Sequence, residues 1–280
     1  MDNIIVGVFI TYQCIFLDYP LEAALRSALD LCDYVIVNDG GSKDGTLDLV
    51  YSLQREYGKD RIKVLNRNWV HDRGFWARER NFVLDQIPPK HYVFNLAADE
   101  CIHENDIVRI RKAVFKLGDR GLRFTPIHFY GRPDYVISGT HWAKILTKLW
   151  RNDLGIRYYN VIGGCADDPL WPDKTPVHFK KVYASNINIY HYGHCRSPKA
   201  LAIKNEKAHS LYRNERFYIN GSFPVIKLFD YQLERYINGY NGDIATKFDG
   251  THPKYISSWC NEHANQKLSY RKADEEIDRV

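Results

Sequence analysis

The chain has 280 residues, 45% of them hydrophobic and 26% charged. That balance demands a packed core and excludes a disordered chain. A net charge of +5 fits a small anionic ligand and falls short of the dense basic face that a dedicated nucleic-acid binder carries.

The opening MDNIIVGVFITYQC has an acidic second residue and no basic segment, so it reads as a first strand over 4–10 and not as a signal peptide. Pro20 suits a first helical turn, and Leu21, Ala24, Leu25, Ala28 and Leu29 then share one helical face. Strands are expected at 34–37, 61–65 and 92–96, with a helix over 47–57. Starts near residues 4, 34, 62 and 92 suit successive βαβ units with right-handed crossovers. Residues 106–117 read as an amphipathic helix with Ile107, Ile110, Val114 and Leu117 in register. From Leu122 the texture changes to β-like pieces at 122–129, 144–150 and 182–190, followed by a helical stretch at 198–212. The expected class is α/β, a Rossmann-like and mostly parallel sheet flanked by helices, with a C-terminal β/α elaboration. Six cysteines lie far apart without a C-x-x-C pair, which argues against structural zinc and a disulfide framework and for a reducing compartment. No apolar run approaches the ~18 residues that a membrane-spanning helix needs, so a soluble, cytoplasmic protein is expected.

Two stretches carry candidate chemistry. The strand at 92–96 runs through Ala97-Ala98 into two adjacent carboxylates, Asp99 and Glu100. An acidic pair there is costly to desolvate unless a cation or hydrogen-bond donors meet it. The carboxyl end of a strand is also where open α/β sheets bind ligands. The plain alternative is a solvated loop. The second stretch, Asp39-Gly40-Gly41-Ser42-Lys43-Asp44-Gly45-Thr46, follows a strand and opens a helix. Its glycines permit close backbone approach, the helix start favours anions, and Asp39 can accept hydrogen bonds from a ribose or a base edge. The plain alternative is a tight βα turn capped by Ser42 or Asp44.

Taken together, N-D-G-G-S-x-D-G-T and, some fifty residues later, an apolar strand ending in A-D-E resemble family 2 glycosyltransferases of the GT-A fold. Gly74-Phe75-Trp76-Ala77-Arg78-Glu79-Arg80-Asn81 resembles that family's G-x-x-x-A-R-N segment, and Arg151-Asn152 its R-N turn near the acceptor site. His191-Tyr192-Gly193 and Gly250-Thr251-His252-Pro253 resemble H-Y-G and G-x-H-P segments of a bacterial and viral subgroup. The resemblance implies a GT-A domain over 1–197, with a nucleotide-sugar half at 1–100 and an acceptor half at 101–197, and a helical elaboration over 198–280 packed on the same domain. It implies transfer of a sugar, with inversion, from a nucleotide-diphosphate donor (a UDP- or GDP-sugar) to a glycan or other hydroxyl acceptor in a bacterial or virus-infected cell.

Thr11, Asp39, Gly40, Ser42, Arg78, Ala98 and Asp99 become the nucleotide-sugar-binding residues. Asp99 and His191 become ligands of Mn²⁺ or Mg²⁺, with Glu100, His103 and Glu104 close by. Asp167 and Asp168 become the candidate catalytic bases. The family's first acid is replaced by Ala97, which motivates an alternative: a relative that binds sugar nucleotides without transferring them. A hard cation held by phosphates and water needs only one or two protein carboxylates, so Asp99 can still serve. Tyr130, Trp142, Tyr158, Tyr159 and Trp171 are candidate sugar-stacking aromatics. Lys199, Lys204, Lys207, Arg213 and Arg216 leave room for a nucleic-acid acceptor, and the Tyr-rich tail for a homodimer.

Overall fold

The computed structural model describes residues 3–72, 74–159, 169–175, 182–183, 186–197, 199–201, 203–204 and 236–264. The N-terminal part is a parallel sheet built from β1 (Ile5–Thr11), β2 (Tyr34–Asp39), β3 (Ile62–Asn66) and β4 (Tyr92–Asn95). Their order is β3-β2-β1-β4, all parallel. The chain therefore leaves β1 toward one edge and returns to the other side of it at β4. That reversal is a topological switch point, and the crevice it leaves at the carboxyl ends of β1 and β4 is where such sheets take ligands.

Both faces of this half are covered, which explains its near-continuous apolar strands. Ile5 and Phe9 of β1 pack with α1 (Leu21–Leu31) and α2 (Thr46–Tyr57), through Leu25, Leu29, Val50 and Leu53. Val6 and Val8 face the other way, onto Ala77, Val83 and Leu84 of α3 (Phe75–Leu84).

Beyond β4 the sheet turns antiparallel. The short β5 (Glu100–Cys101) leads to α4 (Ile107–Phe115), and then come β6 (Gly121–Tyr130), β7 (Arg132–Gly139) and β8 (Leu146–Arg151). Strand β8 lies between β4 and β6, and β7 follows β6 toward the edge. The stretch expected as one strand over 182–190 is two: β9 (Val182–Tyr183) and β10 (Asn188–His194), both parallel to β6. Strand β10 also pairs antiparallel with β5, which brings His191 opposite Glu100. The result is a mixed α/β sheet with a parallel half and helices on its faces.

The C-terminal residues complete this body. β11 (Asp243–Lys247) pairs with β7, and α5 (Ser257–His263) docks through His263 Nε2 on Asp18 Oδ2 at 2.9 Å. The described part of the elaboration thus holds a strand as well as a helix. Of the helix expected at 198–212, residues 199–201 and 203–204 are helical. Strands β7 and β11 and helices α3 and α5 had no clear periodicity in the sequence. Strand β7 alternates poorly because both its faces are part-covered, and α3 buries Glu79 and Arg80 beside Ala77.

The five described cysteines are free and buried, and burial pushes every one of their thiols upward, so they are inert packing residues. Among the described residues no helix is long and apolar enough to cross a membrane.

Candidate functional site

The Asp39 turn is built from inside. Its Oδ1 accepts the backbone N–H groups of Gly41 (2.9 Å) and Ser42 (2.7 Å), and its Oδ2 accepts the hydroxyls of Thr11 and Ser42, both at 2.8 Å. A carboxylate offers about four lone-pair sites, so this fully buried one is saturated. Asp39 shapes the loop; it accepts from a ribose or base only by giving up Thr11 or Ser42. Ser42 Oγ also accepts the Gln13 N–H at 2.8 Å, which locks the β1 exit against the turn. The N-cap position of α2 is Gly45, and of the two candidates Asp44, not Ser42, meets the helix start: Asp44 Oδ1 accepts from Thr46 N at 3.1 Å, while its Oδ2 accepts from Phe16 N at 2.7 Å.

Gly40 serves close approach. A Cβ there would stand 2.7 Å from the Trp69 ring and 2.9 Å from Tyr12. Around it Tyr12, Trp69, His71, Phe75 and Trp76 form one aromatic group, with centroids 4.5 to 6.2 Å apart. Sequence reasoning missed this group, although W-V-H-D-R-G-F-W after the third strand was a visible signal. Arg78 stands at its border, 44% exposed, with its guanidinium on Asp72 (2.9 Å) and on the Val70 carbonyl (2.6 Å). The Asp72 carboxylate holds the Arg78 pKa above its usual value.

The A-D-E turn places its two acids in different settings. Glu100 is turned into the protein: Lys148 Nζ from β8 lies 2.7 and 2.9 Å from its two oxygens, and the Ala97 N–H donates to it at 2.9 Å. Both charges of that pair are buried. Glu100 is therefore a structural anion. The Asp99 carbonyl accepts the Tyr192 N–H at 2.8 Å, fixing the turn to β10, and its Oδ2 lies 3.7 Å from His191 Nε2. Gly193 is the floor between them, since a Cβ there would sit 2.6 Å from His191 Nε2 and 2.7 Å from Asp99 Oδ2. Only a residue without a side chain leaves that space open.

Behind His191 stands His128 of β6, which sequence reasoning did not single out. The two Nδ1 atoms are 2.9 Å apart, and His128 Nε2 is 3.0 Å from the Ala143 carbonyl. Burial lowers the His128 pKa to about 4, with repulsion from His191 adding to it. Burial lowers His191 as well, against the pull of Asp99. Both rings are neutral near pH 7, the form in which imidazole binds metals.

An oxygen and a nitrogen 3.7 Å apart over an open cradle fit one divalent cation, because a hard ion bonds each ligand at about 2.1 Å. A nitrogen ligand suits Mn²⁺ better than Mg²⁺. No group of three or more His, Cys, Asp or Glu able to hold a metal occurs among the described residues, so a cation here takes its remaining ligands from phosphates and water.

His103 and Glu104 do not join this site. His103 Nε2 bonds Thr251 Oγ1 at 2.8 Å and Glu104 Oε2 accepts the Lys254 N–H at 3.1 Å, so they anchor the G-x-H-P segment. His252 of that segment bonds the Tyr192 hydroxyl at 2.8 Å. The Arg151-Asn152 turn also lies away from Asp99. Arg151 pairs with Tyr92 at the amino end of β4, and Asn152 donates to the Leu84 and Ile87 carbonyls at 3.0 and 2.7 Å. Tyr130, Tyr158 and Trp171 are buried core residues, and Tyr159 is half-buried near Lys174. Trp142 is half-buried beside the histidines, 5.1 Å from His128 and 4.9 Å from His194. Asp167 and Asp168 lie outside the described residues.

No family model and no curated protein matches the chain. Among solved structures it is similar to S. aureus TarS 1–349 in complex with UDP, at 15% identity and a TM-score of 0.47, over 76% of this chain and 66% of that one. It is similar to a longer S. aureus TarS structure at 14% identity and a TM-score of 0.46, over 85% of this chain and 44% of that one. The mannosyltransferase PcManGT from Pyrobaculum calidifontis, in complex with GDP-Man and Mn²⁺, is similar at 14% identity and a TM-score of 0.48, over 93% of this chain and 68% of that one. The chain thus spans 44% of the longer TarS structure and 66% of the shorter one. Likeness of this degree assigns neither substrate nor activity.

Proposed function

We propose that this chain is a glycosyltransferase that moves a sugar from a nucleotide-diphosphate donor to an acceptor hydroxyl with the help of a divalent cation. One observation carries the reading. Asp99 Oδ2 and His191 Nε2 converge over Gly193 at the carboxyl ends of the parallel strands, two strand spacings (on the order of 10 Å) from the turn that Asp39 organises. That span suits a nucleoside at the Asp39 turn and a diphosphate at Asp99. The motif resemblance to family 2 glycosyltransferases supports the same assignment.

Asp99 and His191 would hold the cation, with Mn²⁺ favoured, and when bound it would supply charge neutralisation for a departing diphosphate. The Thr11–Asp39–Ser42 network keeps the donor turn rigid. Gly40 and Ala98, both buried, are the small residues proposed to let the donor approach the backbone there. Arg78, already held by Asp72, offers a second cation to the donor phosphates. Transfer with inversion needs an acceptor-side carboxylate as general base, the role assigned to Asp167 or Asp168. UDP- and GDP-sugars are the donors to test first. The proposed domain spans 1–197; of the elaboration proposed over 198–280, the described β11 pairs with β7 and the described α5 docks on Asp18.

The test is thermal unfolding with UDP-, GDP-, CDP- and dTDP-sugars, each with Mn²⁺, Mg²⁺ or EDTA, alongside transfer and donor-hydrolysis assays. A ligand at about 100 times its Kd stabilises the native state by about 2.7 kcal/mol. One nucleotide is expected to raise Tm in a metal-dependent way, and Asp99→Ala to abolish the rise. No shift with any donor overturns the assignment. Binding without transfer or hydrolysis selects the non-transferring relative, the reading that Ala97 favours.

A further inference from the structure

We propose that His128 is a positioning residue that presents the bare Nε2 of His191 to the cation, an inference that rests on the metal-assisted reading above. Counting hydrogens fixes both tautomers. A backbone carbonyl only accepts, so the 3.0 Å contact to the Ala143 carbonyl places a proton on His128 Nε2. With that ring's one proton spent, its Nδ1 is a lone pair. The hydrogen in the 2.9 Å contact between the two Nδ1 atoms must then come from His191. In its neutral, metal-binding form His191 then has Nδ1–H pointing back and its Nε2 lone pair on the side of Asp99 Oδ2, 3.7 Å away.

Two acceptor atoms facing each other over the Gly193 cradle is the arrangement a cation resolves. The opposite tautomer would put N–H on Nε2 and remove the nitrogen ligand. Outer hydrogen bonds of this kind fix the tautomer and ring orientation of a metal-binding histidine and raise its basicity. Residues 128 and 191 face each other in register on parallel strands, so the contact is built into the sheet itself. The accepting carbonyl belongs to Ala143, next in sequence to Trp142, whose ring lies 5.1 Å from His128.

Three variants separate positioning from packing. In His128→Asn the amide oxygen stands near the old Nδ1 and still accepts from His191. In His128→Gln the amide nitrogen reaches the old Nε2 position and keeps the Ala143 contact but not the acceptor. His128→Leu keeps neither. Mn²⁺ affinity, measured by electron paramagnetic resonance without donor or acceptor, is expected to fall 10- to 100-fold in the Gln and Leu variants and to stay within about 3-fold in Asn. A purely structural role predicts the reverse order, with Gln the best substitute, and that result overturns the proposal.

Long-range ¹H–¹⁵N spectra of the metal-free wild type read the tautomers directly, however the variants fold. His191 is expected as the Nδ1–H tautomer and His128 as the Nε2–H tautomer; His191 protonated on Nε2 overturns the proposal. If the wild type binds no Mn²⁺ and Asp99→Ala changes nothing, the cation site itself fails and the positioning role falls with it. Normal Mn²⁺ binding in all three variants removes the positioning role alone and leaves the site standing.

Discussion

Asp39 and Asp99 stand at the same end of one parallel sheet, both buried, and the protein treats them in opposite ways. Asp39 is satisfied by four donors from its own turn and from β1. Asp99 Oδ2 lies 3.7 Å from His191 Nε2 across a space kept open by a glycine. The first arrangement stabilises the fold and is chemically inert. The second puts an acid and an imidazole around one open space, and that is why the proposed cation is assigned there. Glu100, next in sequence to Asp99, falls on Asp39's side of this contrast, because Lys148 satisfies it. Burial of an acid therefore says little about function until its partners are known.

The contrast can be broken by substitution. The largest expected effect is from Asp39→Ala, which strands two buried N–H donors and two hydroxyls and is expected to cost about 4 kcal/mol in urea unfolding. Lys148→Met comes next: it leaves Glu100 as an uncompensated buried charge, and about 3 kcal/mol should be lost in the same assay. Asp99→Asn is expected to cost under about 1 kcal/mol of stability while lowering metal-dependent transfer by about 100-fold, the reverse pattern to Asp39→Ala. If Asp99→Asn unfolds the protein as Asp39→Ala does, the contrast is lost. Gly193→Ala sharpens the point without replacing either ligand. Its Cβ would meet His191 Nε2 and Asp99 Oδ2 at 2.6 and 2.7 Å. Mn²⁺ affinity should drop by about 10-fold, the lower limit for a disturbed metal site.

The smallest effect concerns pH. Burial lowers His263, but its bonds to Asp18 and to the Trp259 carbonyl outweigh that, and its pKa is raised above 6.5. Burial raises Asp18, but bonds from His263 and Ser197 outweigh that, and its pKa is lowered below 3.8. The His263 contribution is complete below pH 6.5 and lost as pH rises through the raised value. The Asp18 contribution is complete above pH 3.8 and lost as pH falls through the lowered value. Docking of α5 is therefore strongest between pH 3.8 and 6.5. His263→Gln should remove a pH dependence of about 1 kcal/mol, with the unfolding free energy of the two proteins converging above neutral pH.

The parallel half of the fold was legible residue by residue. Ile5–Thr11 and Tyr34–Asp39 are apolar runs because both their faces are covered, and the helices after them carry plain 3.6-residue periodicity. The antiparallel half was less legible. Strand β7 buries only Pro133 and Ile137 and leaves most of its other residues part-covered, which blurs its alternation; in the parallel half α3 is hidden in the same way, because it buries the polar Glu79, which accepts from Asn38 of β2.

The candidate site divides along the same line. Sequence by itself determined which residues stand at the strand ends, because strand length and glycine placement are local properties: Asp39, Gly40, Ser42, Ala98 and Asp99 could all be named in advance. Only the tertiary structure decided what each one does. Asp39 is saturated by Thr11, and Glu100 is neutralised by Lys148, 48 residues away. His191 is brought to Asp99 because β10 pairs with both β5 and β6, and His128 stands behind it 63 residues earlier in the chain. The chemistry of an acid or an imidazole depends on the donors and charges within a few ångströms of it, and in this sheet those come from strands far apart in sequence.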